Sequence, residues 1–486
     1  MNMNDIQDMV VTVMGLGRLK KGSGVGAVKW LLRHGAQVVI TDFRDEAELN
    51  ESIDEVSRWF DEEKAKDSSR ELYHPVFVLG EHREEDFTQA QMVVTNPDIP
   101  HDSPYLKLAK DAGVPVRSDV SLFFELCPYS VTGVTAARGK TFMTALAGEM
   151  CKAANPATVV AGNMRVSPLE YLDEIMVSKE PMPIVLELSS WLLESLDDGE
   201  KGPTVGLFTN IYADHLHRYN SLADYAASKK NIFAKGGANG VAVLSKDQLE
   251  LAALASEAPG RVMWVSLSPL ADGEEGVWVE NGDVFANIGG ATAPRSQPIM
   301  SASDVRMTGD DNLRNVLGAI VVAKLHGVSN ERIQHVVSNF STDDDRQEIV
   351  TDISGVLYVN DALGSTPELT LNVLRRFGER GRSIHLISGG DVTEGDLKEL
   401  IKVVEMVCKS VILLPGEGSV KFENQIGTTE ATQLLHAKTM EEAVKIAAET
   451  ATSGDGVIFS PALGYKDPTV ATKLGDTFAA AARGLK

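Results

Sequence analysis

The sequence predicts three α/β domains in a row. Three observations carry this expectation. Short β-branched runs alternate with helical patterns through most of the chain, glycine-rich turns follow two of those strands directly, and 486 residues are enough for three domains of roughly 150 residues each. Val10–Met14, Val76–Leu79, Met92–Thr95 and residues 38–41 read as buried parallel strands, with helical patterns at 24–35 and Glu46–Lys66 between them. A second strand–turn–helix unit opens at 130–149 and continues with strands at 184–188 and 205–211. Within 240–288 the runs 241–244, 263–267, 277–280 and 284–286 read as an antiparallel appendage. Asn281-Gly282 there is suited to a tight hairpin turn. A long helical pattern at 312–326 comes next. Alternation then resumes, with strands at 356–359, 384–388, 411–414 and 457–460 and helices at 367–377, 397–406 and Met440–Thr450. The expected boundaries are 1–128, 129–342 and 343–486, with no internal repeat.

The charge balance narrows the partners. There are 69 acidic and 46 basic side chains, a formal charge of −23. Such a surface argues against general nucleic-acid binding, which needs clustered Lys and Arg, but leaves room for a small anion held by backbone N–H groups. The acidic runs at 61–63 and 343–345 read as solvated surface. The N-terminal residues have neither a basic nor an apolar signal-peptide region, and the longest apolar stretches, such as 316–323, fall far short of a bilayer span. Cys127, Cys151 and Cys408 follow no metal spacing and read as reduced thiols. A cytoplasmic location is expected, and a monomer.

Two glycine clusters suggest anion binding. Gly15-Leu-Gly17 and Gly22-Ser-Gly24-Val-Gly26 follow the first strand, where glycines let backbone approach a phosphate at a helix start. Residues 18–21 interrupt the G-x-G-x-x-G spacing, so a structural turn fits equally. Asp42 and Arg44, after the next strand, could hold a ribose or a phosphate. The second cluster ends in Gly139-Lys140-Thr141 between a strand and a helix, the end of a P-loop, although its first position is Val134 rather than glycine. Lys140 would reach phosphates there and the Thr141 hydroxyl would reach Mg²⁺. Glu187 and His215 stand after further strands and suit an oxygen-rich Mg²⁺ site beside that loop. Taken singly, each also fits a helix cap or loop hydrogen bond, and Lys229 fits an exposed lysine.

Together these stretches resemble the Mur ligase family, the ATP-dependent amide-forming enzymes of peptidoglycan precursor synthesis. The likeness runs in order through Gly15-Leu-Gly17, Asp42-Phe-Arg44, Asn96-Pro-Asp-Ile99, Ser118-Asp119, the 135–141 loop, Gly162-Asn163 and Glu187-Leu-Ser-Ser190. It continues through residues 210–219, Asn312-x-x-Asn315, Arg346, Asn360-Asp361, Ser388-Gly-Gly-Asp391 and Ser460-Pro-Ala462. The resemblance implies the three-domain Mur ligase architecture: a Rossmann-like first domain, a P-loop ATPase-like second with the appendage, and a Rossmann-like third. It implies that Gly15, Gly17, Asp42, Arg44, Asn163 and Ser189 contact a UDP-N-acetylmuramoyl substrate, and that Arg138, Gly139, Lys140, Thr141, Asn312, Arg346 and Asp361 hold ATP. Thr141 and Glu187 would bind one Mg²⁺, His215 a second, with Lys229 at the position carbamylated in the family. Lys140, Glu187, His215 and Lys229 would form the catalytic group. The implied reaction joins a UDP-N-acetylmuramoyl-L-alanine carboxylate to an amino acid, D-glutamate by default, through an acyl phosphate, and the third domain would close over ATP.

The chain departs from the family at several places. Ala136 and Ala137 stand where the loop has glycine and a hydroxyl residue, and Ala136 would be strained if the backbone there needs φ > 0. Asp311 and Asp345 replace histidines, Leu363 and Thr393 replace lysines, and Lys466 is a conceivable substitute on the amino-acid side. These departures keep open a catalytically degraded homologue that binds a UDP-sugar and regulates. A nicotinamide-dependent oxidoreductase rests on the first glycine cluster alone.

Overall fold

In a computed structural model the chain is described except for residues 1–2, 67–71, 101, 164–165, 197–200, 213–218, 220, 290–296, 306–309, 341–347, 379–381, 393–395, 427–431 and 486. It packs as two compact units, one holding Met1–Arg306 and Asp310–Asn339, the other Phe340–Lys486. The described residues form three sheets, two in the first unit and one in the second.

The first sheet contains β1 (Val10–Met14), β2 (Gln37–Asp42), β3 (Val76–Leu79), β4 (Met92–Thr95) and β5 (Val116–Ser118), in the order β3-β2-β1-β4-β5. All its pairings are parallel. Val11, Val13, Val38, Ile40 and Val94 are buried, as expected of strands covered on both faces by crossover helices. β1 lies in the middle, so the glycine turn after Met14 opens at the switch point of strand order, where α/β sheets bind ligands.

The second sheet contains β6 (Thr132–Thr135), β7 (Val159–Gly162), β8 (Ile184–Glu187), β9 (Val205–Phe208), β10 (Val241–Ser245), β11 (Arg261–Ser266), β12 (Gly276–Glu280), β13 (Asp283–Asn287) and β14 (Met300–Ser301). Their order is β14-β13-β12-β11-β10-β9-β6-β8-β7. The antiparallel part is smaller than the sequence suggests. β10 pairs parallel with β9 and β11, and β11 parallel with β12, so the runs at 241–244 and 263–267 extend the main sheet. The short helix Leu249–Ala253 lies between β10 and β11 and lets the chain return in the same direction. In this sheet only the pairings of β13 with β12 and with β14 are antiparallel, and Asn281 and Gly282 make the expected hairpin turn with φ of 53° and 86°. The helix Asp310–Leu325 packs on helix Lys140–Ala154 and is buried continuously from Asn315 to Ala323, which explains its unbroken apolar run. One apolar core, from Ile6 and Trp30 to Leu244 and Leu251, spans both sheets of this unit.

The second unit holds β15 (Glu348–Ile353), β16 (Val356–Asn360), β17 (Ile384–Gly389), β18 (Cys408–Leu413), β19 (Gln433–His436) and β20 (Gly456–Ala462), ordered β15-β16-β20-β17-β18-β19. β15 pairs antiparallel with β16 and the remaining pairings are parallel. A polar cluster braces the turn before β20. Buried Asp455 accepts from Lys409 Nζ at 2.8 Å and from the Thr452 N–H at 2.8 Å, and lies 3.4 Å from His385 Nε2. Burial would raise its carboxyl, but the Lys409 and Thr452 hydrogen bonds outweigh it and bring the pKa from 3.8 to about 2. Because the folded value is the lower one, this stabilisation is present above the unfolded value and lost as pH falls from about 4 towards 2. Between those pH values, the melting temperature of Asp455→Asn is expected to fall less steeply than that of the unaltered chain. Equal slopes would show that Asp455 carries no acid sensitivity.

Candidate active site

β9, β6 and β8 are neighbours, so their C-terminal ends gather Thr209-Asn210, the loop after Thr135, and Glu187 at one edge. The loop leads into helix Lys140–Ala154 through Gly139, which has φ +79°. A Cβ there would stand 2.0 Å from Asn315 Nδ2. Ala136 and Ala137 are buried, and neither is among the residues with positive φ, so the strain considered for Ala136 does not arise.

Two asparagines hold this loop. Asn210 Oδ1 accepts from the Arg138 N–H at 2.8 Å, its Nδ2 donates to Arg138 O at 2.8 Å, and its carbonyl accepts from the Ala137 N–H at 2.9 Å. Asn315 Oδ1 accepts from Thr209 Oγ1 at 3.0 Å and from Asn210 Nδ2 at 3.2 Å. Neither side chain stands out by periodicity. Both lie in stretches that carried the family resemblance, and that was the available signal.

Lys140 opens the helix half-buried, with Nζ 3.4 Å from Ala137 O, and Thr141 beside it is exposed. Lys229, on helix Leu222–Ala234, is not an exposed lysine. It is 1% exposed and donates to Thr135 Oγ1 at 3.1 Å and Ala136 O at 3.0 Å, with Nζ 4.8 Å from the Tyr225 ring centre. A lysine is seldom buried so fully without such partners.

Glu187 is also 1% exposed. Its Oε1 accepts from Asn163 Nδ2 at 3.1 Å, and its carbonyl from the Asn163 N–H at 2.9 Å. Among the described residues its buried Oε2 has no hydrogen-bond partner. An orphaned carboxylate oxygen beside a phosphate-type loop suits a hard divalent cation such as Mg²⁺. Among the described residues no three His, Cys, Asp or Glu side chains converge into a metal cage. Mg²⁺ in such sites commonly completes its shell with phosphate oxygens and water. Ser189 caps helix Ser190–Glu194, its hydroxyl accepting from the Leu192 N–H.

Asp311 accepts from Tyr212 Oη at 2.6 Å and from Arg314 at 2.9 Å, and the Arg138 guanidinium lies 4.5 Å from the Tyr212 ring centre. Burial, then the bond to Asp311, pushes the Tyr212 phenol up to about 12. Asp311 thus makes its own bonds to Tyr212 and Arg314 at the position where the family resemblance implies a histidine. Asn312 lies beside it, half-buried in the first turn of helix Asp310–Leu325.

In the first sheet, Gly15 and Gly17 form the turn between β1 and helix Ser23–Arg33. Buried Asp42 braces that turn, one carboxylate oxygen accepting from the Leu16 N–H and the other from the Arg44 N–H, both at 3.0 Å. Arg44 is exposed enough to meet a ligand. In the second unit, Asp361 follows β16 and its Oδ2 accepts from Ser460 Oγ at 2.8 Å. Lys466 pairs with Glu417 at 3.3 Å on exposed surface. His215, Arg346, Asp345 and Thr393 lie outside the described residues.

Three family descriptions match the chain: "Mur ligase MurD-like, N-terminal domain" over residues 9–118, "Mur ligase middle domain" over 132–323 and "Mur ligase, glutamate ligase domain" over 345–463. Similar proteins include the UDP-N-acetylmuramoylalanine–D-glutamate ligases of Roseiflexus and Clostridioides difficile. The first is 32% identical, covering 92% of this chain and 92% of its own, and the second is 32% identical, covering 94% of each. Among solved structures, the MurC ligase of Thermotoga maritima aligns with a TM-score of 0.58 at 14% identity, covering 98% of this chain and 100% of its own. The MurF ligase of that organism, solved with ADP, aligns with a TM-score of 0.56 at 14% identity, covering 98% of each chain. These structural likenesses show a shared fold. With all three domains matched in order and full-length relatives above 30% identity, the chain belongs to the Mur ligase family.

Proposed function

We propose that this protein joins the carboxylate of UDP-N-acetylmuramoyl-L-alanine to D-glutamate in the cytoplasm, cleaving ATP to ADP and phosphate. The observation that carries the reading is the convergence of a buried lysine, an orphaned carboxylate oxygen and a P-loop-type turn in a Mur ligase. The domains are 1–128 for the UDP-substrate, 129–342 for ATP and 343–486 for the amino acid.

A carboxylate is a poor acyl donor because it is anionic and resonance-stabilised. Phosphorylating it creates an acyl phosphate, and the incoming amine displaces phosphate through a tetrahedral intermediate. Both steps crowd negative charge into one place, so preorganised positive groups supply most of the catalysis. In this reading Lys140, Gly139 and Arg138 hold the ATP phosphates, Asn312, Arg346 and Asp361 hold the rest of the nucleotide, and Asn163, Ser189, Gly15, Gly17, Asp42 and Arg44 hold the UDP-sugar. Thr141 and Glu187 would hold one Mg²⁺, while His215 and a carbamylated Lys229 would hold a second. Mg²⁺ would screen the converging phosphate and carboxylate charges. The carbamate would turn a cationic side chain into an oxygen ligand. In this reading Arg44, Arg138, Lys140 and Arg346 would offset the net charge of −23 around the bound anions.

The test is an assay of ADP and phosphate release. Turnover is expected only when ATP, UDP-N-acetylmuramoyl-L-alanine and D-glutamate are all present. Absence of turnover with D-glutamate would refute the stated substrate, and absence with every amino acid in a panel would refute ligation. The degraded-homologue reading gains nothing from Ala136, since the backbone there is unstrained, and Asp311 Oδ1 accepts from Tyr212 and Arg314.

A further inference from the structure

The glycine turn after β1 and the carboxylate at the end of β8 belong to different sheets. A buried polar junction lies between them. Asp119, the first residue of helix Asp119–Leu126, is 1% exposed, and its Oδ2 accepts from Ser167 Oγ at 2.7 Å. Ser167, also 1% exposed, donates its backbone N–H to Lys21 O at 2.7 Å. Lys21 ends the four-residue insert that breaks the usual spacing of the first glycine cluster. A Cβ at Gly26 would stand 2.4 Å from Ser167 Cβ, so the helix after that cluster meets Ser167 more closely than any larger residue allows.

Ser167 also adjoins the catalytic side. The carbonyl of its neighbour Val166 accepts from the Gly162 N–H at 2.8 Å, and Asn163 is bonded twice to Glu187, once through its backbone and once through its side chain. Asp119 is not needed to start its helix. Ser118 already caps it, exchanging hydrogen bonds with Ser121. Burial raises the Asp119 carboxyl above the ordinary carboxylate range, against the opposing hydrogen bonds of Ser167 and Ser23. Ser23 opens the helix that follows the glycine cluster.

We propose that Asp119 is a positioning residue: by holding Ser167 it fixes the spacing between a UDP-substrate bound at the first glycine cluster and the acylation centre around Glu187. The inference rests on the function proposed above. The two domains stay docked without this bond, because Trp30 Nε1 and Arg33 both donate to Asp173 at 3.1 and 2.8 Å, and Lys29 lies 3.7 Å from Glu170. Loss of the Asp119–Ser167 bond therefore loosens register rather than separating the domains. Misplacement of reacting groups by about 1 Å is enough to slow a reaction on the order of a hundred-fold.

Asp119→Ala, Asp119→Asn, Ser167→Ala and the double alanine variant are assayed in the full chain with ATP, UDP-N-acetylmuramoyl-L-alanine and D-glutamate, alongside ATP affinity by calorimetry. Both single alanine variants are expected to lose about ten- to a hundred-fold in kcat. KM for the UDP-substrate and Kd for ATP should stay within about two-fold. Asp119→Asn, which keeps an acceptor for Ser167, should recover most of the rate, and the double variant should be no slower than the worse single one. Unchanged kcat in Ser167→Ala, additive losses in the double variant, or a parallel loss of kcat and ATP affinity would overturn the positioning role. No turnover by the unaltered chain would overturn the proposed function and this inference together.

Discussion

Lys229→Arg is expected to abolish ligation, with kcat falling by about a thousand-fold or more. The substitution separates two roles that the geometry alone leaves superimposed. As an ammonium, Lys229 braces the loop by donating to Thr135 Oγ1 and Ala136 O. Arginine keeps a positive charge and several donors on a stem of similar length, so it would preserve much of a brace. It cannot present the neutral amine that adds to CO₂, and so it cannot become a carbamate. Under the carbamate reading the variant also loses its dependence on added bicarbonate, which the unaltered enzyme should show after CO₂ is stripped from the buffer. Labelled bicarbonate should give a carbamate carbonyl signal by ¹³C NMR in the unaltered chain and none in the variant. Activity retained within ten-fold by Lys229→Arg would refute the carbamate role and leave the brace.

Gly139→Ala is expected to reduce ATP affinity by at least a hundred-fold, measured by calorimetry. Two effects act together. Alanine at φ +79° carries a backbone strain of about 1 kcal/mol, which is modest alone. The larger effect is steric, because the added methyl would stand 2.0 Å from Asn315 Nδ2 and must displace that side chain. Asn315 anchors Thr209 and Asn210, and Asn210 holds the backbone of Ala137 and Arg138, so the disturbance reaches the loop that would hold the phosphates. Asn315→Ala alone, which removes that anchor and leaves Gly139 in place, should reproduce much of the loss. Unchanged ATP affinity in Asn315→Ala would assign the defect to the backbone at position 139.

The contrast with Ala136 shows how far the sequence could be read. Replacing a loop glycine looks damaging at both positions when only the residue type is known. The backbone decides otherwise, since position 136 has no need of a left-handed conformation and position 139 does. The helices Glu46–Lys66 and Met440–Thr450 and the strands Val10–Met14 and Met92–Thr95 were legible because their apolar periods are strong and their ends carry turn or cap residues. β5, β14 and β19 were not. They have three, two and four residues, and β19 is exposed at both ends and only half-buried at Leu434 and Leu435, so it shows no alternation. Pairing direction was equally hidden, because 241–244 and 263–267 have the same composition whether they run parallel or antiparallel. At the site, residue identities pointed to Glu187 and Lys140 directly. The burial of Lys229 and the two asparagine clamps came only from tertiary packing.

The two-residue strand Met300–Ser301 has a further consequence. It pairs with β13 through Asp283 and Val284 and forms the outer margin of a nine-stranded sheet. Without it, the ladder groups of β13 at Asp283 and Val284 would be open, the kind of unpaired margin at which separate molecules add strand to strand. Met300 is buried against that margin, and a strand this short offers little ladder of its own to a neighbouring molecule. By covering part of that margin the segment limits edge-to-edge pairing, so changes between residues 297 and 303 are expected to lower solubility before they alter turnover.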